Sequence, residues 1–89
     1  MATHANELLQ FPCVFVIKVV VRYQDDIIQT LLDVIQQYAP HTTAHHIKTR
    51  PSRASQYIGL SITIQATSRL QLDSLYQALT AHSCVRFVL

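Results

Sequence analysis

The side chains best suited to chemistry in this 89-residue chain are His41, His45 and His46, two cysteines and a pair of adjacent aspartates. At their spacing, His41 and His45 could share a zinc ion if a third ligand came from across the fold. No paired-cysteine motif accompanies them, and His45 and His46, adjacent on an expected strand, point to opposite sides of it. The cluster therefore reads as an exposed polar connection, with His4 and His82 standing apart, and no metal site is assigned. Cys13 and Cys84 each open an expected strand. In antiparallel neighbours those starts fall at opposite ends of the sheet, beyond disulfide reach, so both read as reduced small hydrophobes rather than nucleophiles. Asp25 and Asp26 do not form an acid/base pair, because adjacent helical residues do not face each other; they suit the positive end of a helix instead. Ser61, Ser68 and Ser74 lack a nucleophile-elbow context, and the single glycine, Gly59, cannot form a phosphate-cradling loop. Neither catalysis nor a cofactor is expected.

The elements that carry these residues are easier to read than their chemistry. From Tyr57 to Thr67, Ile58, Leu60, Ile62 and Ile64 alternate with Gly59, Ser61, Thr63 and Gln65, the period of a strand with one dry face and one wet. Cys13 to Val21 is a second, valine-rich strand. Phe15, Ile17, Val19 and Val21 form one side, and Val14, Val16, Lys18 and Val20 the other. The Lys18 side is the outer one, since an unpaired ammonium is costly to bury. Between them, Ile27, Ile28, Leu31, Val34, Ile35 and Tyr38 form a helical stripe that Pro40 ends. Ala44 to Arg50 is expected to be a modest strand, joined by the turn-rich Pro51 to Ser55 to the strand that follows. Ser68 with Gln71 makes a capping-box pattern ahead of Leu72, Leu75, Tyr76 and Leu79, a helix running to about His82. Val85 to Leu89 closes the chain as a short strand in which Val85, Phe87 and Leu89 alternate with Arg86 and Val88. Met1 to Gln10 is a polar leader in which Asn6 caps a turn, and residues 1–12 precede a single domain of residues 13–89.

The order strand, helix, strand, strand, helix, strand predicts an α+β, ferredoxin-like βαββαβ sandwich, with two helices on one face of a four-stranded antiparallel sheet. The first and third strands are then central. Parity places Val14, Val16, Lys18 and Val20, Tyr57, Ser61, Thr63 and Gln65, Arg86, and His46, Lys48 and Arg50 on the open face. This apolar patch ringed by cations is a surface for self-association or a protein partner. RNA-recognition modules use the same face, but they stack bases on several aromatics, and only Tyr57 is available here, so nucleic acid is not expected as a partner. The formal net charge of +2 adds little to that case. No apolar run is long enough to span a bilayer and no signal peptide is visible, so a cytoplasmic protein is expected.

Several segments together resemble the YbeD family of small uncharacterised bacterial proteins. They are Asn6-Glu7-Leu8-Leu9 with Phe11-Pro12, Phe15, Lys18-Val19, Ala39-Pro40, Tyr57, Ser61-Ile62-Thr63-Ile64 with Ala66-Thr67, Leu75-Tyr76, and Val85-Arg86 with Val88-Leu89. The resemblance implies an ACT-like domain and a regulatory protein linked to lipoate. ACT-type domains hold effectors near the loop between the first strand and helix. On that reading Arg22 or Lys18 would hold the carboxylate of lipoate or an amino acid. Where such domains place a glycine that admits the ligand, this chain has Val21. The candidate ligand or partner surface is thus Val16, Lys18, Val20, Arg22, Tyr57, Ser61, Thr63 and Arg86.

Overall fold

A computed structural model describes residues 10–51 and 56–89. The capped turn expected at Asn6 and the link at Ser52 to Ser55 lie outside these residues. Four strands, β1 (Cys13–Arg22), β2 (Ile47–Pro51), β3 (Tyr57–Ala66) and β4 (Val85–Val88), form one sheet in the order β2-β3-β1-β4. All three neighbouring pairs are antiparallel. Helices α1 (Ile27–Ile35) and α2 (Arg69–Ala81) complete the expected ferredoxin-like βαββαβ order.

β1 and β3 are central because they are the strands with the most apolar surface to bury. They pair over their full ten residues, from Cys13 opposite Ala66 to Arg22 opposite Tyr57. Their inward residues Ile17, Val19, Val21, Leu60, Ile62 and Ile64 join Ile27, Leu31, Leu32 and Ile35 of α1 and Leu72, Leu75 and Leu79 of α2 in one buried cluster. Both helices therefore cover the same side of the sheet. Each fully buried aliphatic side chain contributes about 1.5–3 kcal/mol.

Local hydrogen bonds fix the element ends. The Ser68 hydroxyl accepts the Gln71 backbone N–H at 3.0 Å, which caps α2 as expected. The other half of the capping box is displaced: Gln71 Oε1 accepts from the N–H of Thr67 at 2.7 Å, and its amide nitrogen donates to the Tyr38 carbonyl at 2.8 Å. Gln71 thereby ties the start of α2 to the segment after α1. That segment leaves the α-helix at Ile35 rather than at Pro40, because the N–H groups of Gln37 and Tyr38 bond three residues back and tighten the chain into turns.

A second departure concerns the chain before β2. Ala44–His46 is a 3₁₀ turn, and the strand starts only at Ile47. His46 Nδ1 accepts the Thr43 N–H at 2.9 Å, and the His46 N–H bonds the Thr43 carbonyl at 2.9 Å. This local pairing outcompetes strand extension.

A third departure is at the C-terminal edge. The register of β4 shifts against β1 between Val20 and Val21, so that Val88 faces Val19, Phe87 faces Val20 and Val85 faces Val21. This bulge turns both valines toward the core and sends Phe87, expected on the inner side, to the open face, where it is 52% exposed.

Strand parity sets the cost of truncation. Ile62→Ala, at a fully buried position, is expected to lose about 2–5 kcal/mol of unfolding free energy, and Val16→Ala on the open face less than about 1 kcal/mol, both measured by urea denaturation.

Candidate functional site

The open face consists of rows set by strand register. One row runs from Lys18 of β1 across Ser61 of β3 to Lys48 of β2. The next runs from Phe87 through Val20 and Gly59 to Arg50, and at the end of the central strands Arg22 stands opposite Tyr57. Toward the other end, Val16 lies opposite Thr63 and Val14 opposite Gln65. Val14 and Val16 are 67% and 47% exposed, so the apolar strip is in water. The Arg86 guanidinium sits over the Tyr57 ring, 5.5 Å from its centroid. The structure therefore brings Val16, Lys18, Val20, Arg22, Tyr57, Ser61, Thr63 and Arg86 onto one continuous surface, with Lys48 and Arg50 beside them. His46 reaches the rim of this surface from its turn and not from a strand.

Charge is segregated across the fold. Of the seven Lys and Arg residues, Lys18, Arg22, Lys48, Arg50 and Arg86 lie on the open face, all exposed. None of the four described strands contains an acidic residue. The described carboxylates are elsewhere: Asp25 and Asp26 in the β1–α1 loop, Asp33 on α1 and Asp73 on α2, where Arg69 pairs with it at 3.4 Å. That loop is tied internally. The Tyr23 hydroxyl donates to Asp25 at 3.5 Å, Gln24 to Asp26 at 3.2 Å, and the Cys84 thiol to Gln24 at 3.2 Å.

Sequence reasoning did not single out two further features. The first is a notch at Gly59. A Cβ there would meet only the Arg50 carbonyl oxygen at 3.6 Å and the Arg50 Cβ at 3.9 Å, and no positive φ requires a glycine. The chain's one glycine thus leaves room on the sheet surface that neither turn geometry nor packing demands. The second is an open hollow of about 360 Å³ at the far end of the face, lined by Val14, His41, Thr42, His46, Thr63 and Gln65 among others. Its one sequence signal was the histidine cluster.

The same geometry bears on the other candidate groups. Among the described residues no three His, Cys, Asp or Glu side chains converge on a point where they could hold a metal. His46 also already uses Nδ1 to hold its turn. Cys13 and Cys84 are free thiols, and the Cys84 carbonyl bonds the Arg22 N–H at the opposite end of β1 from Cys13, roughly 30 Å along the strand. Asp25 and Asp26 are exposed and take their hydrogen bonds from Tyr23 and Gln24, not from each other. Burial raises the Tyr76 hydroxyl above its usual value near 10, so it stays protonated at neutral pH.

With the geometry in place, comparison with known proteins adds family and fold. A family model described as "Protein of unknown function (DUF493)" matches residues 6–89. A UPF0250 protein of Ralstonia nicotianae is 44% identical over 84 residues, covering 94% of this chain and 87% of its own. One from Nitrosomonas europaea is also 44% identical over 84 residues, covering 94% and 97%. One from Paraburkholderia phytofirmans is 39% identical over the whole of both chains. Among solved structures, the solution structure of protein HP0495 from H. pylori superposes with a TM-score of 0.71 at 14% identity, covering 91% of this chain and 85% of that one. At that identity the likeness speaks for the fold.

The bulge makes a checkable distinction within one short strand. Phe87→Ser is expected to change unfolding free energy by less than about 1 kcal/mol, and Val85→Ser, whose side chain turns inward, to cost about 1–3 kcal/mol; a larger loss at Phe87 would contradict the register of β4.

Proposed function

This chain belongs to the DUF493 family, the bacterial UPF0250 proteins, and from that premise we propose that it is a non-enzymatic, cytoplasmic regulatory domain that works by docking a protein partner on its open sheet face. One observation carries this reading. Val14, Val16 and Phe87 are exposed on the side of the sheet opposite the helices, and they share that surface with five cations. Exposed apolar side chains rimmed by polar ones are a common basis of protein interaction sites. The face is also built on the fully paired central strands, whose backbone is already held by the ladder, so binding there needs little ordering of the backbone.

A second reading, a small carboxylate effector such as lipoate or an amino acid near the β1–α1 loop, is favoured by the arrangement at that end of the sheet. Arg22, opposite Tyr57, ends β1 at the start of the loop, and the Arg86 guanidinium lies over the Tyr57 ring; two arginines at one end of the sheet are the chemistry that carboxylate binding would use. Calorimetry at millimolar lipoate, octanoate or amino acid tests it, and flat titrations throughout would remove it.

The docking reading predicts that Val16→Glu together with Val20→Glu leaves the circular dichroism spectrum unchanged and abolishes the protein's specific partner contacts in pull-down. Unchanged partners in that variant would contradict it.

A further inference from the structure

The chemistry of the face narrows its occupant. Lys18 and Lys48 flank Ser61, Arg50 flanks Gly59, and Arg22 and Arg86 stand at the Tyr57 end, with no acidic side chain on any of the four described strands. Among the described residues, Lys18, Arg22, Lys48 and Arg50 make no ion pair. Exposed to water, such a cluster costs little; covered by a partner without counter-charge, it would bury several unpaired cations. Among the described residues, a second copy meeting this face symmetrically brings the same cations and no side-chain carboxylate, so an isologous sheet-to-sheet dimer is disfavoured. A nucleic acid brings anions but needs aromatic planes for its bases. Valines offer none, and of the two aromatics on this face Tyr57 already carries Arg86 over its ring, which leaves Phe87 on the edge strand as a single plane where base stacking uses several.

The geometry points to an acidic, amphipathic polypeptide segment as the ligand of this face. Its carboxylates meet Lys18, Lys48, Arg50 and Arg22, its apolar side chains cover Val16 and Val20, and one of them seats in the notch over Gly59. The inference rests on the docking reading above and adds the partner's chemistry to it. The notch is the independent element. At its ordinary backbone conformation an alanine fits without clash, so Gly59→Ala is expected to raise the melting temperature while weakening binding, a pair of opposite changes that a purely structural glycine would not produce.

The test uses the full chain and three short labelled peptides, alternating Leu-Glu, alternating Leu-Lys and alternating Ser-Glu, with labelled oligothymidylate as the nucleic-acid probe. Affinity is read by fluorescence anisotropy at low and high salt, and location by amide chemical shifts. The expected result is saturable, salt-sensitive binding of the Leu-Glu peptide, with shifts in β1 and β3. Lys18→Glu with Lys48→Glu should weaken it about tenfold or more, and Lys48→Gln with Arg50→Gln, at exposed edge positions, serves if the first variant loses its fold. Equal binding of the Leu-Lys peptide, or affinity unmoved by charge reversal, overturns the acidic partner; the docking reading then still stands if Val16→Glu with Val20→Glu abolishes peptide binding, and falls with it if that variant also binds unchanged. Tighter binding of oligothymidylate at the same residues overturns the polypeptide in favour of a nucleic acid. Binding of none of the probes overturns the inference outright, leaving the docking reading to its own partner experiment.

Discussion

The pairing of β1 with β3 is the constraint from which the other features follow. Its ten-residue register sets Ile17, Val19, Ile62 and Ile64 inward and Val16, Lys18, Ser61 and Thr63 outward. A slip of β1 by one residue would turn that strand over. It would expose Ile17 and Val19, worth about 1.5–3 kcal/mol each, and drive the Lys18 ammonium against the helices. Both penalties act in the same direction, so the composition of the open face is fixed by the stability of the core. The helices contribute the lid of that core, and Gln71 holds their ends together through the Tyr38 carbonyl.

The same register explains how a concentrated positive face is tolerated. Lys18 and Lys48 are separated by the width of two strand spacings across Ser61, roughly 10 Å. In water, unit charges that far apart repel by only about 0.4 kcal/mol, and physiological salt screens much of that. The balance changes when water leaves. In a partly desolvated contact the same pair repels several times more strongly, and each cation also loses its hydration. A surface built this way is stable alone and selective when covered, because an occupant without carboxylates is penalised at each of five side chains. The aliphatic strip between the cations supplies the area that makes burial favourable in the first place.

Most of this was legible in the sequence because period-two alternation in two long strands leaves few alternatives. Lys18, Tyr57, Ser61 and Thr63, together with Lys48 and Arg50 on the shorter β2, all occupy the side that parity assigns. What escaped were features decided by single backbone hydrogen bonds or by the absence of a side chain. Phe87 reaches the open face through a bulge in a four-residue strand, too short for alternation to reveal which valines turn inward. His46 is held out of β2 by the Thr43 amide, a local bond that competes with strand pairing at one residue's cost. The helical stripe continues to Tyr38, but the backbone tightens at Gln37 and Tyr38 first, and a pattern of apolar residues does not distinguish an α-turn from a 3₁₀ turn. Gly59 reads as a weak strand residue in sequence; its notch exists only once Val20 and Arg50 are placed on either side.

The central claim, that the exposed cations and valines form one free, positively charged face, is tested most directly by mapping the near-surface potential with paramagnetic co-solutes of opposite charge. Amide and methyl relaxation should show the anionic probe concentrated along the outer side of β1, β2 and β3 around Lys18, Lys48 and Arg50, and the cationic probe along α1 near Asp33. An even distribution of the two probes, or exclusion of both from Val16 and Val20, would contradict the account: the first because the face would carry no distinct potential, the second because it would already be covered.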